Sequence, residues 1–92
     1  LAQTYFDQGM ALLYGFNHDE AARSFRRATE LDPEAAMPYW GLALAIGPNY
    51  NDTAVDAARA KATFEAVQAA LARAPRASAR AQDYVRAVAK RY

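Results

Sequence analysis

Chemistry needs polar groups that converge, and this chain offers few. It has one histidine, His18, followed by Asp19 and Glu20. An imidazole beside two carboxylates could move a proton or help to hold a metal. The three are consecutive, however, just behind Asn17 at what reads as a helix start. There the carboxylates act as partners of the helix dipole. Asn49, Asn51 and Asp52 place oxygen donors in one short segment. A calcium loop needs more carboxylates and a terminal bidentate Glu, so a turn and a helix cap are expected instead. Glu30, Asp32 and Glu34 are a third acidic group, with Asp32 expected to cap a helix and the others to be solvated. No cysteine is present, which excludes disulfides, thiolate zinc sites and cysteine nucleophiles. Neither a phosphate-binding Gly loop nor a Gly-x-Ser-x-Gly elbow occurs. The expectation is a non-enzyme, with no catalytic residues, no metal and no cofactor.

Charge narrows the partners. Eleven basic and ten acidic residues leave a net charge of +1, which demands neither nucleic acid nor an anionic membrane. The charge is uneven along the chain: residues 1–46 carry net −3 and residues 47–92 net +4. The basic part includes Arg73, Arg76, Arg80, Arg86, Lys90 and Arg91. Nucleic-acid binding would want such a stripe with aromatics for stacking; a solvated helix face is the plainer reading. Attraction between the acidic and basic ends is a weaker one. The most apolar window, Ala35 to Gly47, is about 13 residues, and a membrane span needs roughly 20. It reads as a buried helix. A protein partner is expected, with no nucleic acid and no membrane. The absence of disulfides fits a cytoplasmic protein better than an exported one.

The elements that would position any site are helical. With 92 residues the chain makes one domain, and 53 % apolar residues is too many for disorder. Alanine is roughly a quarter of the chain, far above average usage, and strand-forming runs are missing. The class is all-α, with about five helices. The first spans about Ala2 to Tyr14 and stops at Gly15. The second opens at Asn17, a good N-cap, with Glu20 three positions on to complete a capping box. Its apolar stripe is Ala21, Phe25, Ala28 and Leu31. The third is expected to start with Asp32 as cap and Pro33 at the first helical position, and to end at Gly47-Pro48. The fourth runs from about Asp52 or Thr53 to Ala74, where Pro75 breaks it. Ser78 can cap the fifth, which holds Ala81, Tyr84, Val85, Val88 and Tyr92 on one side. The chain starts at Leu1 almost inside a helix and stops at Tyr92 without a stop signal, as a fragment of a longer protein would.

The chain also repeats itself. A shift of about 34 residues aligns Ala2 with Ala36, Tyr5 with Tyr39, Phe6 with Trp40, Gly9 with Ala43 and Leu12 with Ile46. A shift of about 42 then aligns Phe25 with Val67, Ala28 with Ala70 and Pro33 with Pro75. The difference is an insertion around residues 49–62. Tyr5, Gln8-Gly9, Leu12, Ala21, Phe25, Ala28 and Pro33 resemble the tetratricopeptide repeat, whose period is about 34 residues. The second unit follows with Tyr39, Leu42-Ala43, Ile46, Thr63, Val67, Ala70 and Pro75. Thr63 stands where the pattern has a small Ala, and Ala81 stands where a third unit would have its aromatic.

The resemblance implies a right-handed α-solenoid of antiparallel helix pairs, with repeat one at about 2–35 and repeat two at about 36–77. Residues 78–92 would be a capping helix or the start of a third repeat. It implies a packing role for His18, where the family usually has a tyrosine. It also implies a concave surface lined by the first helix of each repeat: Gln3, Phe6, Met10, Leu13, Tyr14, Met37, Trp40 and Leu44. Family members that grip a C-terminal carboxylate use Lys, Arg and Asn there, which are missing here. The lining is instead almost wholly apolar, the mark of an interface. Three functions are open: a scaffold module that takes a helix or peptide of another protein, a self-association module that makes a homodimer through the same groove, and an accessory domain of a larger enzyme.

Overall fold

The computed structural model describes residues 1–47 and 57–91. Five α-helices follow one another there: α1 (Ala2–Tyr14), α2 (His18–Leu31), α3 (Ala36–Ile46), α4 (Ala57–Arg73) and α5 (Ala79–Arg91), with a single 3₁₀ turn at Ala74–Arg76 between the last two. No strand occurs among the described residues. Packing is mostly between neighbours in sequence: α1 on α2, α2 on α3, α3 on α4. The last helix, α5, lies against both α3 and α4. This is an all-α stack of adjacent helix pairs, the architecture of helical-repeat proteins. The expected turn at residues 49–52, the start of the fourth helix, most of the inserted segment and Tyr92 fall outside the described residues.

Each boundary has a local cause. At the end of α1, the Phe16 N–H donates to the Leu13 carbonyl at 3.0 Å, and the Asn17 N–H to the Leu12 carbonyl at 2.9 Å. This pair of bonds is a Schellman closure. Phe16, not Gly15, takes the left-handed conformation it requires, with φ 63°, while Gly15 has φ −82°. Asn17 caps α2 by accepting from the Glu20 N–H. The reciprocal half of the expected capping box does not form: the Asn17 N–H is already used by Leu12, and the Glu20 carboxylate pairs with Arg23. Ser78 caps α5 through the Ala81 N–H at 3.2 Å.

One boundary differs from the sequence expectation. Asp32 does not start α3; it ends α2, its N–H donating to the Ala28 carbonyl at 3.0 Å. Pro33 and Glu34 form a turn, and α3 begins at Ala36. The cause is Pro38. Had Pro33 opened the helix, Pro38 would sit in its second turn, without an N–H to donate and in collision with the preceding carbonyl. Starting at Ala36 puts Pro38 in the first turn, where no N–H is needed.

The core is organised by one ring. Phe25 of α2 is fully buried, with the backbone of α1 on one side and that of α3 on the other. A Cβ on Gly9 would stand 2.8 Å from the ring, and one on Gly41 would overlap it. Phe6 meets the ring edge-on, with centroids 5.6 Å apart. Gly41 was not visible as a close-contact position in the repeat pattern; Gly9 was. The helix α3, AMPYWGLALAI, carries no charged residue, and it is the helix with neighbours on most sides, as apolar-all-round helices are. Its other flank packs on Val67, Ala70, Val85 and Val88 of α4 and α5. Thr63 is buried in α4 where a smaller residue was expected. Its hydroxyl donates to the Arg59 carbonyl one turn back, at 2.8 Å, so no polar atom is stranded.

Two results should follow. By helix propensity alone, Gly41→Ala would stabilise the protein by about 1 kcal/mol. Because the new methyl meets the Phe25 ring, we expect a loss of roughly 1–3 kcal/mol in urea unfolding, as in overpacked cores. The loss should shrink in a Phe25→Leu background, and strictly additive penalties would place the two residues apart. Phe16→Gly should raise stability by about 1 kcal/mol, by removing the left-handed penalty of a bulky residue; a lower melting temperature would show that the Phe16 ring holds the turn.

Candidate functional site

The groove is built from helix faces set by the Phe25 contact. From α1 come Phe6, Met10, Leu13 and Tyr14, and from α3 come Met37, Trp40 and Leu44. With Tyr84 of α5 these line one open concavity of about 380 Å³. Seven of the eight residues carried over by position thus meet on one surface. Spacing explains why: Phe6, Met10 and Leu13, and Met37, Trp40 and Leu44, each recur at three and four residues and so share a helix face. Gln3, assigned to the same surface from sequence, lies instead in a neighbouring cavity with Glu34, Arg73 and Arg76, where it donates to Asp7 at 2.8 Å.

These side chains have two sides. Phe6, Met10 and Leu13 pack inward on the Phe25 cluster. Met37 and Trp40 pack on the Val85 cluster, and Trp40 and Leu44 on the Val67–Val88 cluster. They are half-buried, with their outer surfaces toward the groove. Tyr14 is the exception, at 77 % exposed. Trp40 leans on Tyr84, with ring centroids 5.7 Å apart. Tyr84 is the lining residue that the sequence missed. It was grouped with Ala81, Val85 and Val88 on one side of the fifth helix, but Val85 and Val88 are buried while Tyr84 stands at the edge of that stripe, 43 % exposed. Its place one residue before a buried valine was the available signal.

The polar candidates do not converge. No group of three or more His, Cys, Asp or Glu that could hold a metal exists among the described residues. His18 stays at the turn before α2, its Nδ1–H donating to the Phe16 carbonyl at 3.1 Å and its ring 6.3 Å from that of Phe16. A carbonyl can only accept, so the proton sits on Nδ1. Asp32 closes α2, and Glu34 meets Arg76 at 3.5 Å on the surface. Two arginines have structural work. Arg73 lies over the Tyr39 ring, 4.3 Å from its centroid, and donates to the carbonyls of Pro33 and Ala69. It ties the end of α4 to the turn between α2 and α3. Arg59 donates to the Ile46 carbonyl at 2.6 Å, covering the open end of α3. No described helix is long and apolar enough to cross a membrane.

Replacing Arg73 by Met should keep the packing of the stem and remove the cation–π contact and both hydrogen bonds. We expect a loss of about 1–2 kcal/mol in thermal or urea unfolding. No change would mean that the junction is held by apolar packing alone.

Residues 2–35, the span of α1, α2 and the turn after them, match the family model of the tetratricopeptide repeat. No curated protein matches the chain, and no solved structure does. The match covers the first repeat, and the stacked helix pairs that continue from it extend the same all-α helical-repeat architecture; tetratricopeptide repeats are in general protein–protein interaction units.

Proposed function

We propose that the groove between α1, α3 and α5 takes an apolar helix or peptide of another protein, and that the domain works as an interaction or scaffold module. The observation that carries this reading is the lining. All eight residues around the concavity are aromatic or aliphatic, or methionine, and none is charged. Aromatic residues and methionine are the types enriched in interface cores. An amphipathic helix laid into such a groove would offer side chains at three- and four-residue spacing. The same groove closing on a second copy is the competing outcome, and the test separates the two.

Trp40 is the chain's one tryptophan, so its fluorescence reports on the groove without a label. Light scattering across a dilution series should give a monomer, with Trp40 open to acrylamide. Adding an amphipathic helical peptide should then shield it. Tyr14 is the residue to mutate, because its exposure frees it from the core. Tyr14→Ser should weaken peptide binding about tenfold, roughly 1.4 kcal/mol, with the melting temperature nearly unchanged, as for other surface substitutions. A dimer that Tyr14→Ser dissociates would assign the groove to self-association instead. A protected Trp40 in a monomer that takes no peptide would remove the groove as a binding site.

A further inference from the structure

We propose that the occupant of the groove is an amphipathic helix carrying carboxylates along the edge that faces α5; this rests on the reading of the groove as a helix-binding site. The argument is the charge on the two walls. The α5 wall carries Arg80, whose guanidinium stands 5.9 Å from the centre of the Tyr84 ring and 3.5 Å from its hydroxyl. Tyr84 itself lines the groove. Arg80 is exposed, and no described carboxylate pairs with it. It also sits in the first turn of α5, the positive end of the helix, where an uncompensated cation is unfavourable and an anion is favoured. Arg91 lies two turns beyond Tyr84 on the same helical face. The acidic residue of α5, Asp83, pairs with Arg86 at 3.4 Å. Across the groove, α1 carries one charged residue, Asp7, and no cation.

An apolar helix between these walls meets a positive rim on one side and a mildly negative one on the other. Carboxylates on the α5 side would find Arg80 already oriented by the Tyr84 ring. A second copy does not supply such a helix. The helix α2, where three carboxylates are balanced by three arginines, has its apolar face in the Ala21–Phe25–Ala28 stripe, and that stripe is buried. Two copies meeting groove to groove would bring two concavities together and leave a void between them. Another protein, with a convex helix that is acidic along one flank, fits both shape and charge.

Two synthetic peptides of about 14 residues, close to the length of α1, test this. They share one apolar face and differ only in carrying Glu or Lys along one flank. Trp40 fluorescence at low salt should show the Glu peptide binding about tenfold tighter, with the gap narrowing as salt rises. Arg80→Gln should weaken the Glu peptide by up to about fivefold, the scale of an exposed pair, while Arg80→Lys should restore most of it. Equal binding of the two peptides, or no effect of Arg80→Gln in a variant that melts like wild type, would overturn the acidic partner and leave the groove standing. Binding of neither peptide would overturn both readings.

Discussion

The Phe25 ring decides how closely three helices approach. It projects from α2 between the backbones of α1 and α3, and both sides are glycine where they meet it. A side chain at either point would push a helix outward and open the centre of the fold. A fully buried phenylalanine contributes about 1.5–3 kcal/mol by removal from water alone. Its larger effect here is geometric. The same contact sets the distance between α1 and α3, and that distance is the width of the groove on their outer side. Phe6 belongs to both, with its edge on Phe25 and its outer surface in the groove.

The second constraint is the character of α3. A helix without a charged residue must be covered on most of its circumference, and α2, α4 and α5 do so on different flanks. Its C-terminal end still exposes backbone carbonyls, and a side chain from elsewhere meets the last of them. Arg59 reaches the last turn of α3 from α4, and Arg73 reaches the turn before α3 from the other end of α4. The same helix therefore supplies the apolar flank of α3, the polar closure at its C-terminal end and a tie to the turn that precedes it.

What remains uncovered is the strip of α3 between α1 and α5. Its residues do two jobs, core on one side and groove on the other, which explains why the groove is rigidly supported and why Trp40 is a poor residue to truncate. The rims carry the chain's charge asymmetry to this place. The surplus of cations in the second half of the sequence reaches the edge of the groove through α5, and α1 on the other side carries one acidic residue and no cation. In the proposed helix-binding role, non-directional burial would attract many apolar helices, and the charged rims are where discrimination between them would arise.

Much of this was legible in the residues themselves. The helical class, the stop near Gly15, the caps at Asn17 and Ser78 and the place of Phe25 rest on signals that act within a few residues, and such signals survive folding. The family pattern brought the apolar residues of α1 and α3 to one list, and helical spacing put them on one face of each helix. Tertiary structure decided the rest. It made Gly41 a contact point and set Tyr84 as a wall, whereas the start of α3 past Pro33 and the left-handed Phe16 have local causes, in Pro38 and in the turn that closes α1. The tertiary outcomes depend on competition between distant groups: one ring for two backbones, one helix for two neighbours. Local propensity determines which segments are helices; only packing between segments determines which atoms meet and which surface is left open to a partner.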